Sequence, residues 1–177
     1  TDRQSMVSGS SENAPCFTQL MSDKDSVVSP VTTDSYDVVY GNWPQKYDEV
    51  VLVLNHNNSI SADKLYQLGL INEKRYKEIK DNIDNEKENE AIIWDFEEIC
   101  EHEFYLVPMC DQYIKNDDGT YQYIGDDTSK YDDMVEDALK LKIVGIIKPT
   151  EDAQNANLQA PVAYTSKLTD YIINHTD

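Results

Sequence analysis

Two short apolar runs, Asp37–Tyr40 and Val50–Leu54, stand on either side of a polar turn that holds Gly41 and Pro44. β-Branched and aromatic residues fill both, so strands are predicted over Asp37–Tyr40 and Glu49–Asn55. The second run is apolar at consecutive positions, the pattern of a central strand covered on both faces. Trp43, just ahead of it, is expected to anchor the turn against the core. After His56–Ser59 the period becomes helical. Ser61 is a good N-cap, Ile60 and Leu65 have hydrophobic-staple spacing and Gly69 is a favoured C′ residue, which predicts a helix over Ala62–Leu68. Asn72 repeats the signal, with Ile71 and Tyr76 as the staple and Tyr76, Ile79 and Ile83 as the apolar stripe of a second helix. The charged stretch Asp81–Glu90 reads as a solvated connection. Trp94, Phe96 and Ile99 open a compact segment that leads into a strand over Glu103–Pro108.

Gln112–Lys115 and Thr120–Ile124 flank Asn116-Asp117-Asp118-Gly119, a clear hairpin pattern. Asp127 or Thr128 then caps a helix whose stripe is Tyr131, Met134, Val135, Ala138 and Leu139. Leu141–Ile147 is a β-branched strand containing Gly145 and ended by Pro149. A loop over Glu151–Leu158, a short strand Pro161–Tyr164 and a helix Ser166–Asn174 complete the chain. Upstream, residues 1–14 are Ser-rich and nearly without large apolar groups, and are expected to be disordered. Phe17, Leu20 and Met21 have a short helical spacing, and Val27, Val28 and Val31, interrupted by Pro30, predict an irregular arm on the core. Strands and helices intermix without a βαβ repeat, so the fold class is α+β, in one domain over residues 15–177.

Composition narrows the function. A chain of 177 residues suits one domain. Its formal charge of −19 argues against nucleic acid or an anionic lipid surface as partner. That charge serves solubility, or attracts a cationic ligand. No run reaches the roughly 18–20 apolar residues of a membrane helix. Read without further context the chain would be soluble, and a start at Thr1 suits a mature or excised fragment. Three cysteines, Cys16, Cys100 and Cys110, make no disulfide framework, although Cys100 and Cys110 could pair if adjacent strands carry them.

The chemistry-bearing residues form no recognisable catalytic pattern. A calcium-loop reading of Asp117-Asp118-Gly119 fails, because an EF-hand would need acidic ligands where Ile114 and Gly125 stand. Asp126-Asp127 and Asp132-Asp133 could hold a loose calcium ion, or simply favour a helix N-terminus. His56, His102 and His175 lack zinc-ligand spacing, and His102, flanked by Glu101 and Glu103, reads as an exposed titrating group. Cys100 and His102 are too close in sequence for a catalytic pair. There is no nucleophile elbow and no Gly-rich phosphate loop. No enzymatic activity, no cofactor and no tightly bound metal are expected. Asn57-Asn58-Ser59 and Asn174-His175-Thr176 match glycosylation sequons, which are frequent by chance. Tyr113, Tyr121 and Tyr123 in the hairpin are the candidate partner surface, flanked by Asp117, Asp118, Asp126 and Asp127. The alternative is an inert hairpin held by cross-strand ring pairing.

Three blocks carry a resemblance to a known family. They are Tyr36-Asp37-Val38-Val39-Tyr40-Gly41-Asn42-Trp43-Pro44 with Tyr47-Asp48-Glu49-Val50-Val51-Leu52-Val53 and the capped helix through Leu70; Lys142-Ile143-Val144-Gly145-Ile146-Ile147-Lys148-Pro149; and Ala163-Tyr164-Thr165-Ser166-Lys167-Leu168 through Ile173. Together they resemble the extracytoplasmic domain of FtsX-like ABC-transporter permeases of Gram-positive bacteria, related to the MacB periplasmic core. The blocks span about residues 36–70 and 141–173, with a variable middle over about 71–140. The resemblance implies a mixed sheet covered by helices with an inserted variable segment, held on the extracellular face of the cell membrane between two membrane helices. It implies a non-enzymatic module that transmits conformational change or binds an envelope-associated substrate. The implied partners are a cytoplasmic ATPase subunit, reached through the membrane part, a second permease copy and an extracellular ligand. The other reading is a stand-alone secreted or surface ligand-binding or adhesion domain.

Overall fold

Consecutive apolar residues can form a stable strand only where both faces of a sheet are covered, and two runs of this chain meet that condition side by side. They are β3 (Glu49–Val53) and β7 (Leu139–Pro149), which pair in parallel at the centre of a sheet. The computed structural model describes residues 15–89, 92–153 and 156–176; the segment 1–14, expected to be disordered, lies outside them. Around the central pair the chain forms β1 (Phe17–Gln19), α1 (Pro30–Thr33), β2 (Tyr36–Gly41), α2 (Ala62–Gln67), α3 (Glu73–Asp84) and α4 (Phe96–Cys100). It continues through β4 (Glu103–Leu106), β5 (Tyr113–Lys115), β6 (Tyr121–Tyr123), α5 (Tyr131–Glu136), β8 (Val162–Tyr164) and α6 (Ser166–Thr176).

The six-stranded sheet has the order β1-β8-β3-β7-β2. β4 shares an edge of β7 with β2: β4 pairs with the stretch Leu139–Lys142, β2 with Gly145–Pro149. β2, β4 and β8 run antiparallel to their central partners, so the sheet is mixed and the fold is α+β. Val50, Leu52 and Leu54 face one side with Leu141, Ile143, Ile146 and Val162, beneath Leu68, Ile99 and Leu168 from the covering helices. Val51, Val53, Ile147 and Ala163 face the other, beneath Leu20 and Val28 of the arm and Tyr36 of β2. Each such fully buried aliphatic side chain contributes about 1.5–3 kcal/mol by leaving water.

The expected local chemistry of the first helices is present. In α2 Ser61 takes the N-cap position with extended backbone, without a side-chain cap bond. Its end is a Schellman motif: Gly69 has φ +72°, its N–H donates to the Tyr66 carbonyl, and the Leu70 N–H donates to that of Leu65. In α3 the Asn72 side chain accepts from the Arg75 N–H at 2.9 Å. The two helices form a satellite cluster around Leu65, Ile71 and Ile79, with Tyr66 stacked on Tyr76 at 4.6 Å.

Three expectations are corrected. Phe17–Gln19 is a strand rather than a helical segment, because β8 offers its backbone a parallel ladder and a spacing over five residues cannot outweigh that. The stripe from Tyr131 to Leu139 is not one helix. It ends at Glu136, and Leu139 belongs to β7, opposite Leu106. Ladder bonds to β4 override the helical period there. Ile83 is exposed at 58 %, because α3 packs through its first turns only. Trp43 is half-buried against the second face of the sheet, while its neighbour Pro44 is fully buried.

The link from β2 to β3 depends on close backbone contact. β7 carries an extra residue relative to β3, where Val50 faces Ile143 and Val51 faces Gly145. Gly145 lies against Asn42, and a Cβ placed on it would stand 2.3 Å from the Asn42 carbonyl oxygen. Glu49 organises the turn by accepting the N–H groups of Gln45 and Lys46 at 2.8 and 3.2 Å. Burial pushes that carboxyl up, the amides pull it down, and the net position is below the usual range. Gly145→Ala should therefore lower stability by about 2–3 kcal/mol through overpacking against backbone. A shift of the urea midpoint at unchanged m-value checks this; an unshifted midpoint contradicts it.

Candidate functional site

The hairpin β5–β6 stands apart from the main sheet as its own two-stranded unit. Its register places Tyr113 opposite Tyr123 and Lys115 opposite Tyr121. Because side chains alternate along a strand, all four residues share one face. That face is solvent-exposed: Tyr113 is 44 %, Tyr121 68 % and Tyr123 39 % accessible. The Tyr113 and Tyr123 rings are 5.3 Å apart and tilted by 55°, the cross-strand ring pairing expected of an antiparallel pair. The structure therefore brings the three tyrosines together with Lys115 as an aromatic platform bearing a cation.

The turn is held locally. Gly119 has φ +84°, which favours glycine, and Asp118 accepts from the Thr120 N–H at 2.9 Å and its hydroxyl at 2.6 Å. These two bonds hold the Asp118 carboxyl below its ordinary range. Asp127 does the same for Ser129, by one N–H at 3.0 Å and one hydroxyl at 2.6 Å, and its carboxyl is lowered for the same reason. Both aspartates thus have turn-forming roles. At the foot, Gln112 is 3 % accessible. Its side chain donates to the Val107 carbonyl and accepts from the Tyr123 hydroxyl, each at 3.3 Å, while its backbone carbonyl accepts from the Ile124 N–H at 2.8 Å. The platform is therefore anchored to the domain through one buried amide.

The foot also meets the C-terminal helix. His175 Nε2 lies 2.9 Å from Asp111 Oδ2 and 3.2 Å from Oδ1, and the Cys110 thiol donates to Asp111 Oδ1 at 3.3 Å. The His175 ring is nearly parallel to that of Tyr171 at 6.1 Å, and Tyr171 stacks on Tyr47 at 4.5 Å. Sequence spacing missed this group, because Asp111 and His175 are 64 residues apart and only the packing of α6 joins them.

Other candidates separate. Cys16, Cys100 and Cys110 are free thiols, so the option of a Cys100–Cys110 disulfide is not realised. Burial pushes the Cys16 and Cys100 thiols up, away from thiolate reactivity; Lys64 pulls Cys16 partly back. Asp132 and Asp133 fall in the first turn of α5, where the helix dipole favours acids. His56 is exposed in a loop. His102 is not the exposed group expected from its acidic neighbours. It is half-buried, edge-on to Phe104 at 5.0 Å. Among the described residues no helix is long and apolar enough to cross a membrane.

Comparisons with protein-family models, with curated proteins and with solved structures returned no match.

His102 yields a pH prediction. Burial lowers its pKa from the ordinary 6.5, and a hydrogen bond with the Leu68 backbone offsets this only in part. The unfolded chain then takes up the proton first as pH falls. The stability contributed by the neutral ring is complete above about pH 6.5 and is lost as pH drops towards the depressed folded value. Between about pH 7.5 and about pH 5.5 the urea midpoint of the parent should fall further than that of His102→Gln. Equal falls would remove His102 as the cause.

Proposed function

We propose that this chain is a non-enzymatic extracytoplasmic module of an FtsX-like ABC-transporter permease, with a MacB-like core, acting in conformational coupling or recognition of an envelope-associated substrate. The observation that carries the reading is the spatial unity of the three blocks of resemblance. β2, β3 and α2 come from the first, β7 from the second, β8 and α6 from the third, and they adjoin one another as a single scaffold. The variable middle contributes β4, the hairpin and α3–α5, which decorate that scaffold. A second support is the meeting of the segments nearest the two ends. β1 pairs with β8, and the Thr169 hydroxyl lies 2.6 Å from the Gln19 side-chain oxygen. An early and a late segment that adjoin are compatible with insertion between two membrane helices.

In this reading the ATPase subunit and a second permease copy act through the membrane part, and the hairpin face receives the extracellular ligand. The decisive experiment is to read the encoding gene on both sides of this chain. Runs of about 20 apolar residues should flank it on each side. Their absence from either side would replace the permease reading with a stand-alone surface or secreted domain.

The partner surface has its own test. Exposed tyrosines in a hairpin flanked in sequence by Asp117, Asp118, Asp126 and Asp127, four carboxylates against the one cation of Lys115, suit a cationic or amphipathic partner, through ring faces and charge together. Tyr123 holds Gln112, so the variant that spares the fold is Tyr113→Ala with Tyr121→Ala. That variant should bind a Lys-rich amphipathic envelope peptide roughly tenfold more weakly than the parent. Parent binding should weaken as salt rises. Equal affinities in calorimetry, or indifference to salt, would end the proposal.

A further inference from the structure

We infer that Cys110, Asp111 and His175 form a binding site for one divalent transition-metal ion of the zinc type, at the joint between the hairpin foot and the C-terminal helix. One ligand atom from each, a thiol sulfur, a carboxylate oxygen and an imidazole nitrogen, lies within 4.8 Å of the other two. A tetrahedral ion with bonds of about 2.0–2.3 Å holds its donors roughly 3.3–3.6 Å apart. Two of the separations in the protein lie at or just below that range, and the third is bounded from above. His175 Nε2 to Asp111 is 2.9 Å, Cys110 Sγ to Asp111 is 3.3 Å, and the third edge stays under 4.8 Å. On the single oxygen Oδ1 of Asp111 the two known edges, 3.2 Å to His175 and 3.3 Å to Cys110, already approach the tetrahedral values. Asp111 and His175 are exposed, which leaves them room to adjust and leaves a fourth coordination position open to water.

The chemistry selects the ion. Sulfur with imidazole disfavours magnesium and calcium, which require oxygen ligands, and favours zinc, cobalt, nickel or copper. Two hydrogens now bridge the group: the Cys110 thiol donates to Asp111, and Nε2 of His175 faces both carboxylate oxygens. Binding sends the thiol proton to solvent, and Nε2 is freed as a ligand by moving the ring proton to Nδ1, or by releasing one to solvent where the ring is cationic. Thiolate and carboxylate then cancel the double charge of the ion. The ring of Tyr171 lies nearly parallel to His175 and helps fix its plane. A net charge of −19 raises the local concentration of cations around the site. The inference departs from the sequence expectation of no tightly bound metal, which rested on the lack of short ligand spacing. It does not depend on the transporter reading.

The test is a cobalt(II) titration of the full chain with its thiols kept reduced, followed by zinc competition. One-to-one binding should appear with visible ligand-field bands of a tetrahedral site and a sulfur-to-cobalt charge-transfer band. Cys110→Ser and His175→Gln should each weaken cobalt binding by at least about 100-fold. Cys100→Ser should leave it unchanged. Zinc should raise the melting temperature of the parent and not of the two ligand variants, whose metal-free melting checks that they fold. A cobalt complex without the sulfur band, an unaltered affinity in His175→Gln, or an affinity lost equally in Cys100→Ser would each overturn the site. Weak binding spread over surface carboxylates would show the first of these results.

Discussion

The parallel pairing of β3 with β7 is the constraint on which the rest of this structure depends. Both strands are covered on two faces, so every position of β3 from Val50 to Val53 is buried. A parallel pair cannot be closed by a tight turn. The chain between them must travel over a long connection before it returns. That detour contains α2, α3, α4, β4, the hairpin and α5. The pairing thus explains why so long a segment intervenes: it has to bridge two fixed strands, and part of it, Ile99 and Phe104 with β4, packs back on them.

How much of this was legible in the sequence differs from element to element, for physical reasons. β3 and β7 announce themselves because β-branched runs buried on both faces have few other uses. The Ile60–Leu70 helix was readable from cap to stop, since its staple, N-cap and C′ glycine are local signals. The hairpin was equally local. What failed depended on distant partners. Phe17–Gln19 becomes a strand only because β8, some 145 residues later in register, stands beside it. Leu139 leaves its helical stripe because β4 bonds to it. His102 looked solvated beside two glutamates, yet tertiary packing brings the Leu68 backbone to its ring.

The candidate site was half legible. Tyr113, Tyr121 and Tyr123 could be placed in a hairpin, and the two-residue spacing of Tyr121 and Tyr123 already implied a common face for that pair. The metal-ligating group could not be found that way. Cys110 and Asp111 sit on a short helical turn, and His175 on the last turn of α6; no periodicity links them. Both features converge on the same few residues around Gln112. The tyrosine face of the hairpin and the joint to α6 are therefore mechanically continuous, through the buried amide on one side and Asp111 on the other.

The shared edge of β7 has one more effect. A single long strand there would present an unbroken row of free backbone donors and acceptors to a neighbouring molecule. Two shorter strands occupy it in tandem, and the outward rows belong to β2, with its irregularity at Val39, and to β4, four residues long. At the opposite border β1 offers only three residues. Short, interrupted borders make poor templates for a second copy. This architecture limits edge-to-edge pairing of a domain whose central sheet is strongly apolar.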